Sequence, residues 1–517
     1  MNTRLMKETR ELLPMYIGTL LLIVVPCLIW GAHAEPFACV ACGLGCAVLA
    51  GCSVGNEFQH RTLSLLLSQP VARSVLWRDK MLVLGAGILT CLAALFLCQR
   101  AYCPVPDREA QATLALVALC AFCGAPHCTI LQRQTIAGIC SSAAGPVSLL
   151  GVYAAVNWWL FNHRVIQLSD AVILLVPYCA VVFWRGHVRF QRLEVLDSPV
   201  RELGLPAWLE ALVERPLTKA SSRFRGSFAS LLKKEFRLQQ ASFLMAGVFF
   251  LIAVIGHCLI PLYTDLGLVI VVGDYGVFVV ILPLVAGAIA VAEEKGWDLA
   301  EWHRTLPPSA RQQWLAKMLA TLPTSLTLGL LLPAAMFLGG NALLFPRGRF
   351  GIPTGYGLAA CVLGQLWVTS VAVYAASFCK STMRAILVAV GILVASFGGL
   401  LQTAWWLSGT IAPDLGVHND QFNRVPAALL WVPPLMLLLM LCLTQWFAWT
   451  NFRSLGAPVR RLVIQLLVLL IAVGLASVPL VAVIYPVWQP VHSRPRHPNH
   501  LWHRQVRPSV GSVWLGE

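Results

Sequence analysis

The sequence predicts an all-α protein that crosses a membrane about thirteen times, as two parallel sets of six spans plus one more. Three observations carry that expectation. The 517 residues are 58% hydrophobic and only 12% charged, about half the charge fraction of a soluble domain. Apolar runs near the roughly 20 residues a spanning helix needs recur from end to end. They are continuous, where the strands of a β-barrel would alternate. Lys and Arg concentrate in alternate loops. Segment 185–237 holds eleven of them, 31–36 holds none, and 160–170 holds only Arg164. Basic loops stay on the cytoplasmic side, so the N-terminus is expected in the cytoplasm and the chain in the cell inner membrane.

The first six runs lie near Tyr16–Trp30, Phe37–Val54, Met81–Leu97, Thr113–Leu131, Ile136–Leu160 and Ala171–Trp184. The second six lie near Phe243–Leu262, Leu268–Ala292, Leu319–Leu338, Gly357–Phe378, Ala385–Leu407 and Ala427–Trp449, and a thirteenth spans Leu462–Tyr485. Six is even, so both sets start on the same side and the repeat is parallel, not inverted. The expected units are a first six-span unit (1–184), a cytoplasmic connector (185–240), a second six-span unit (241–450), an extra span (451–486) and a basic tail rich in Pro, His and Trp (487–517). The tail lacks periodicity and is expected to be disordered. Within the connector, Phe228, Leu231, Leu232, Phe236 and Leu238 alternate with Lys233, Lys234 and Arg237. That pattern predicts an amphipathic helix feeding the seventh span.

The net charge of +15 follows from this loop bias. The partner it implies is the lipid bilayer and not a nucleic acid. The N-terminus has the outline of a signal peptide, with Ala32-His33-Ala34 as a small-x-small site, but Glu8 and Glu11 and the long apolar run argue against cleavage after Ala34. Thirteen of the 17 cysteines lie in the first half. Cys39-x-x-Cys42 and Cys120-x-x-Cys123 have metal-like spacings, yet mid-helix cysteines read as small packing residues. The tail histidines His492, His497, His500 and His503 lack a framework of further ligands. No metal and no cofactor of the chain's own is expected.

One signature occurs twice between apolar runs: GNEFQHRTLSLLLSQPVARSVLWRDKML over 55–82 and AEEKGWDLAEWHRTLPPSARQQWLAKML over 292–319. Each has an acid leaving one run, a short amphipathic stretch, a Pro and Ala-Arg, and a Lys before the next run. Pro70 and Arg73 correspond in this reading to Pro308 and Arg311, Glu57 to Glu293 or Glu294, and Lys80 to Lys317 after a one-residue gap. Leu63, Leu66 and Leu67, and Leu299, Trp302 and Leu306, each form one face of a short helix. Pro70 and Pro308 suit the first turn of the helix that follows. The acids are expected to pair with Arg73 and Lys80, or Arg311 and Lys317. Lys7-Glu8-Thr9-Arg10 and Lys234-Glu235-Phe236-Arg237 precede the first and seventh spans and extend the repeat.

These residues resemble the permease subunits of ABC-2-type transporters over roughly 1–184 and 227–449. The resemblance implies six spans per unit, an amphipathic helix before the first, and a coupling helix between the second and third. Carried over, Arg61–Ser68 and Asp298–Thr305 are the coupling helices, with Glu57, Arg61, Pro70, Arg73 and Lys80, and Glu293, Glu294, Lys295, Trp302, Pro308, Arg311 and Lys317, forming the ATPase-coupling loops. The chain has no Gly-x-x-x-x-Gly-Lys-Ser/Thr loop and no Gly-Lys pair, so ATP and Mg would be bound by a partner. Two fused units imply two copies of a cytoplasmic ABC ATPase. The chain itself would be a transport subunit and not an enzyme, exporting a hydrophobic or amphipathic substrate. The thirteenth span, the tail and the Pro307-Pro308 pair depart from the family pattern.

The rivals are an ion-coupled secondary transporter and a non-transporting membrane component of a larger complex. Ion coupling needs ionisable groups inside spans, and only His127, His257 and Asp274 lie there. A membrane transferase would draw on Asp414, His418 and Asp420 in one loop, three polar residues without a supporting constellation.

Overall fold

The computed structural model describes residues 3–31, 35–59, 62–102, 108–161, 168–193, 227–259, 275–296, 308–344, 355–379, 381–396, 431–454 and 458–492. Helix is the only regular structure among them. The first set comprises α1 (Thr3–Trp30), α2 (Glu35–Gln59), the five-residue α3 (Leu63–Leu67), α4 (Arg73–Tyr102), α5 (Arg108–Gln132), α6 (Thr135–Phe161) and α7 (Leu168–Gln191). The second comprises α8 (Ser227–Leu238) and α9 (Gln240–Leu259), which meet at a 40° bend, α10 (Leu282–Gly296), α11 (Ala310–Leu326) and its continuation α12 (Leu332–Leu344), α13 (Gly355–Ala376), α14 (Thr382–Ser396) and α15 (Val432–Arg453). A long last helix, α16, spans Val459–His492.

Ten of these helical stretches are long and apolar enough to cross a membrane, and the bent α8–α9 pair makes eleven. The short α14 and the long α16 cover the eleventh and thirteenth expected runs. Leu89, Leu97, Ile173, Trp184, Leu251 and Leu338 stand exposed on outer faces. Water-soluble proteins rarely expose so much contiguous apolar surface, whereas helices facing hydrocarbon must. The chain is thus an all-α, multi-pass membrane protein.

Two spans begin or break with π-helical turns, Val277–Ile281 ahead of α10 and Thr327–Leu331 between α11 and α12. A Leu-Pro pair follows each, Leu282-Pro283 and Leu332-Pro333. Proline has no N–H to donate, and its ring crowds the carbonyl four residues back. Widening that turn relieves the clash. The two π turns lie against each other.

In the first set α2 packs on α1, α4, α5 and α6, and α5 packs on α7. In the second, α10 packs on α11 and α13, α13 on α15, and α8 on α11. The sets exchange contacts. Ile136 and Cys140 of α6 cluster with Met245 and Ala246 of α9, while Met383, Ile386 and Leu387 of α14 join the cluster built on Leu12, Met15 and Ile23 of α1. The last helix is held by buried amides: Asn451 and Gln465 pair at 3.1 and 3.2 Å, and Tyr374 Oη donates to Gln465 Oε1 at 3.2 Å.

Candidate functional site

Two buried clusters of lysine and glutamate sit at one end of the bundle. In the first, Lys80, two turns into α4, donates from Nζ to Glu8 Oε2 of α1 at 2.7 Å, to Glu57 Oε1 of α2 at 3.2 Å and to the Ser53 carbonyl at 3.3 Å. In the second, Lys317 of α11 donates to Glu235 Oε1 of α8 at 3.0 Å, to Glu294 Oε2 of α10 at 2.9 Å and to the Ala290 carbonyl at 2.8 Å. Ser53 and Ala290 each precede the glutamate by four residues, one helical turn. Lys80 and Lys317 are only 1% and 2% exposed. A further lysine closes each cluster from the rim, Lys7 at 3.8 Å from Glu57 and Lys234 at 2.5 Å from Glu294. Two lysines thus face two buried carboxylates in both places.

Charge pairs buried to this degree cost desolvation and add little net stability, but removing one member leaves an uncompensated charge. Each cluster therefore fixes three helix ends in one geometry. The first is also wired to α3. Thr62, the residue before that helix, donates its hydroxyl to Glu57 Oε2 and its N–H to the Glu57 carbonyl. Leu66 of α3 is buried, Leu63 and Leu67 are half-buried against the core, and Leu65 is exposed.

These contacts give the two signatures a common register. Lys80 follows Glu57, and Lys317 follows Glu294, by the same 23 residues. Glu294 and not Glu293 is therefore the counterpart of Glu57, and the one-residue gap is unnecessary. Pro70 then matches Pro307 and Arg73 matches Ala310, which replaces the pairing with Pro308 and Arg311. The same alignment brings Trp77 onto Trp314, each three residues before the lysine. Trp77 packs on Phe183 and Phe190 of α7 with ring centroids 5.9 and 5.3 Å away. Trp314 packs on Trp449 and Phe452 of α15 at 5.8 and 5.2 Å.

The remaining expected residues fall as follows. Arg73 does not meet Glu57; its guanidinium donates to the carbonyls of Gln191 and Leu193 at 2.7 Å and closes the end of α7. Pro70 lies in the turn before α4 and Pro308 precedes Ser309, so neither occupies a first helical turn. Ser309 caps α11 instead, in a capping box with Gln312. Lys295 donates to the Ser377 carbonyl. Arg311 is exposed on the first turn of α11. Arg61, Trp302 and the stretch 298–305 lie outside the described residues, as do His257's side chain and Asp274. His127 is half-buried on α5 with Nδ1 unpartnered.

Sequence reasoning named Lys7-Glu8 and Lys234-Glu235 as part of the repeat but did not place them in the site. Their duplication was the available signal. Glu8, Glu11 and Glu57 bring carboxylate oxygens within 4.8 Å of one another, and two lysines are bound to them, Lys80 on Glu8 and Glu57 and Lys7 on Glu11 and Glu57. Of the cysteines with metal-like spacing, Cys42, Cys120 and Cys123 are buried and Cys39 is half-buried beside Gln99, and none of them is in a disulfide; Cys120 and Cys179 lie 3.6 Å apart between α5 and α7. No family model, curated protein or solved structure matches the chain.

Proposed function

We propose that the chain is the permease of an ABC exporter, two six-span units fused in parallel, followed by an extra span, in a cell inner membrane with the N-terminus cytoplasmic. The observation that carries this reading is the duplicated cluster: a lysine, two glutamates and a rim lysine join α1, α2 and α4 in the first set and α8, α10 and α11 in the second. A machine driven by a paired motor needs two matching inputs, and these are the matching parts. In the first set the input is α3. Force on α3 passes through Thr62 to Glu57, then through Lys80 to α4 and to Glu8 on α1. Three helix ends then tilt as a unit, and Trp77 extends the linkage to α7. In the second set the equivalent input is the stretch Asp298–Thr305.

The motor is a separate cytoplasmic ATPase, present in two copies, which supplies the nucleotide chemistry that this chain has no phosphate-binding loop to perform. Spans rich in Leu, Val, Ala and Gly with few polar residues suit a hydrophobic or amphipathic cargo. The test is affinity purification of the tagged full chain from its native membrane. The expected result is a P-loop ATPase at two copies per chain, with ATP hydrolysis stimulated by the permease. Recovery of the pure chain with ion-gradient-driven transport would sink the reading. Arg311, exposed and free of the clusters, is the position where charge reversal should weaken ATPase capture without loss of fold.

A further inference from the structure

A cavity of about 230 Å³ opens beside the first cluster, lined by Arg4, Lys7 and Glu8 of α1, Leu66 of α3, Gln69 of the following turn, and Leu76 and Asp79 of α4. Asp79 is the unexplained member. It is only 4% exposed, and its Oδ2 has no hydrogen-bond partner. The nearest cation to its other oxygen is Arg78 Nε at 3.8 Å, on a side chain 68% exposed. The neighbouring lysines are committed: Lys80 to Glu8 and Glu57, and Lys7 to Glu11 and Glu57. A buried carboxylate left this way is costly. The second set avoids the cost, with Ala316 at the position of Asp79 and Leu231 at that of Arg4.

On the reading of the chain as a permease, we propose that this cavity is a socket for a lysine or arginine side chain of the ATPase bound beneath the first set, with Asp79 as its counter-ion. The cavity is walled by the input helix itself, through Leu66 and by Gln69 just after it, so a partner gripping α3 reaches it directly. Its volume accepts the end of a long basic side chain. Among the described lining residues Glu8 is held by Lys80 and Lys7 by Glu11 and Glu57, Arg4 is the other lining cation, and Asp79 is the carboxylate that no lysine meets. The second set has no carboxylate at the matching position, so the two ATPase copies are then held unequally.

The test compares the full-length wild type with Asp79→Asn and Asp79→Glu, purified from native membranes, reading the P-loop ATPase retained per chain and the melting temperature of the chain stripped of ATPase. Asp79→Asn should lower capture about 10-fold or more, the scale for losing one partner of a desolvated charge pair. The stripped chain should melt at the wild-type temperature or above, because an unpaired buried charge has been removed. Asp79→Glu should keep most of the capture. Wild-type capture by Asp79→Asn overturns the socket, and so does a fall in melting temperature that parallels the loss of capture. A wild type that retains no ATPase overturns the permease reading itself, a different result from either.

Discussion

Replacing Lys317 with Met probes what the buried clusters do. The substitution keeps the length of the side chain and removes the ammonium that donates to Glu235, Glu294 and the Ala290 carbonyl. Both carboxylates are at least nine-tenths buried, and stripping one partner from such a pair costs about 3–5 kcal/mol. Lys234, 2.5 Å from Glu294, stays behind and blunts the loss, so about 3 kcal/mol is expected. In the first cluster the rim lysine is 3.8 Å from Glu57 and 46% exposed, so Lys80→Met should fall nearer about 5 kcal/mol. A triple replacement of Lys317, Glu235 and Glu294 by Met removes the charges together and should recover most of the loss, since buried pairs gain little over apolar residues of similar volume. The assay is equilibrium unfolding of the detergent-solubilised full chain. A single variant within about 1 kcal/mol of wild type, or a triple variant no better than the single one, would refute the reasoning.

Gly287→Ala should cost about 1–3 kcal/mol in the same assay, because a methyl there would sit 2.5 Å from the Thr369 carbonyl oxygen, backbone that cannot step aside; Gly391→Ala, with nothing within 4 Å, is the neutral control. Arg73→Gln removes the donor that closes α7, and hydrogen exchange over 187–193 should accelerate about tenfold, equivalent to roughly 1.4 kcal/mol; unchanged exchange would show the cap to be idle. Gln465→Leu removes both bonds between Gln465 and the fully buried Asn451 amide, which keeps only its donation to Ser377 Oγ at 3.2 Å, and takes the acceptor from Tyr374. Its cost should be about 1–3 kcal/mol, and a change below about 0.5 kcal/mol would mean that α16 is held by its apolar contacts alone.

The helical architecture was legible because bilayer spans are written in composition. No tertiary contact is needed to read an apolar run such as Met81–Leu97. The π turns were not, since nothing in a hydropathy pattern distinguishes Leu-Pro that kinks a span from Leu-Pro that widens one turn. The site was half legible. Lys80, Lys317, Glu57 and Glu294 stood out by repetition, but the reading anchored its alignment on Pro70 and Arg73, which sit in or beside a turn. A turn tolerates a shifted proline. A helix end that must deliver an ammonium to two carboxylates does not, and the 23-residue interval from glutamate to lysine records that constraint. Glu8 and Glu235 needed the fold, because their partners are 72 and 82 residues away. Arg73 misled for the opposite reason: a cation near an acid in sequence was assigned to that acid, while the chain used it to close α7, almost 120 residues on.

The two sets share their clusters and tryptophans, yet they differ above them. Where the first has Leu12, Met15, Leu84 and Ile88, the same alignments place Gln239, Ser242, Thr321 and Ser325 in the second. Gln239 donates to the Ala286 carbonyl at 3.0 Å and to Thr321 Oγ1 at 3.4 Å, Ser242 donates to Gln239 at 3.1 Å, and Ser325 bonds Thr369 of α13 at 2.5 Å. Farther along come the two touching π turns; the Thr324 hydroxyl, three residues before the second, and the Gln365 amide nitrogen of α13, which lies against Gly329 in that turn, are buried without a hydrogen-bond partner. An apolar interface of interdigitated side chains resists bending. A segment with widened turns, missing N–H groups at Pro283 and Pro333, and unspent polar groups has hydrogen bonds to exchange as it bends. Equal displacements delivered to the two clusters would therefore meet unequal stiffness. On the proposed permease reading, the first set would carry the displacement as a lever and the second would yield at its π turns, so a symmetric input would become an asymmetric opening through the residues in which the two sets differ.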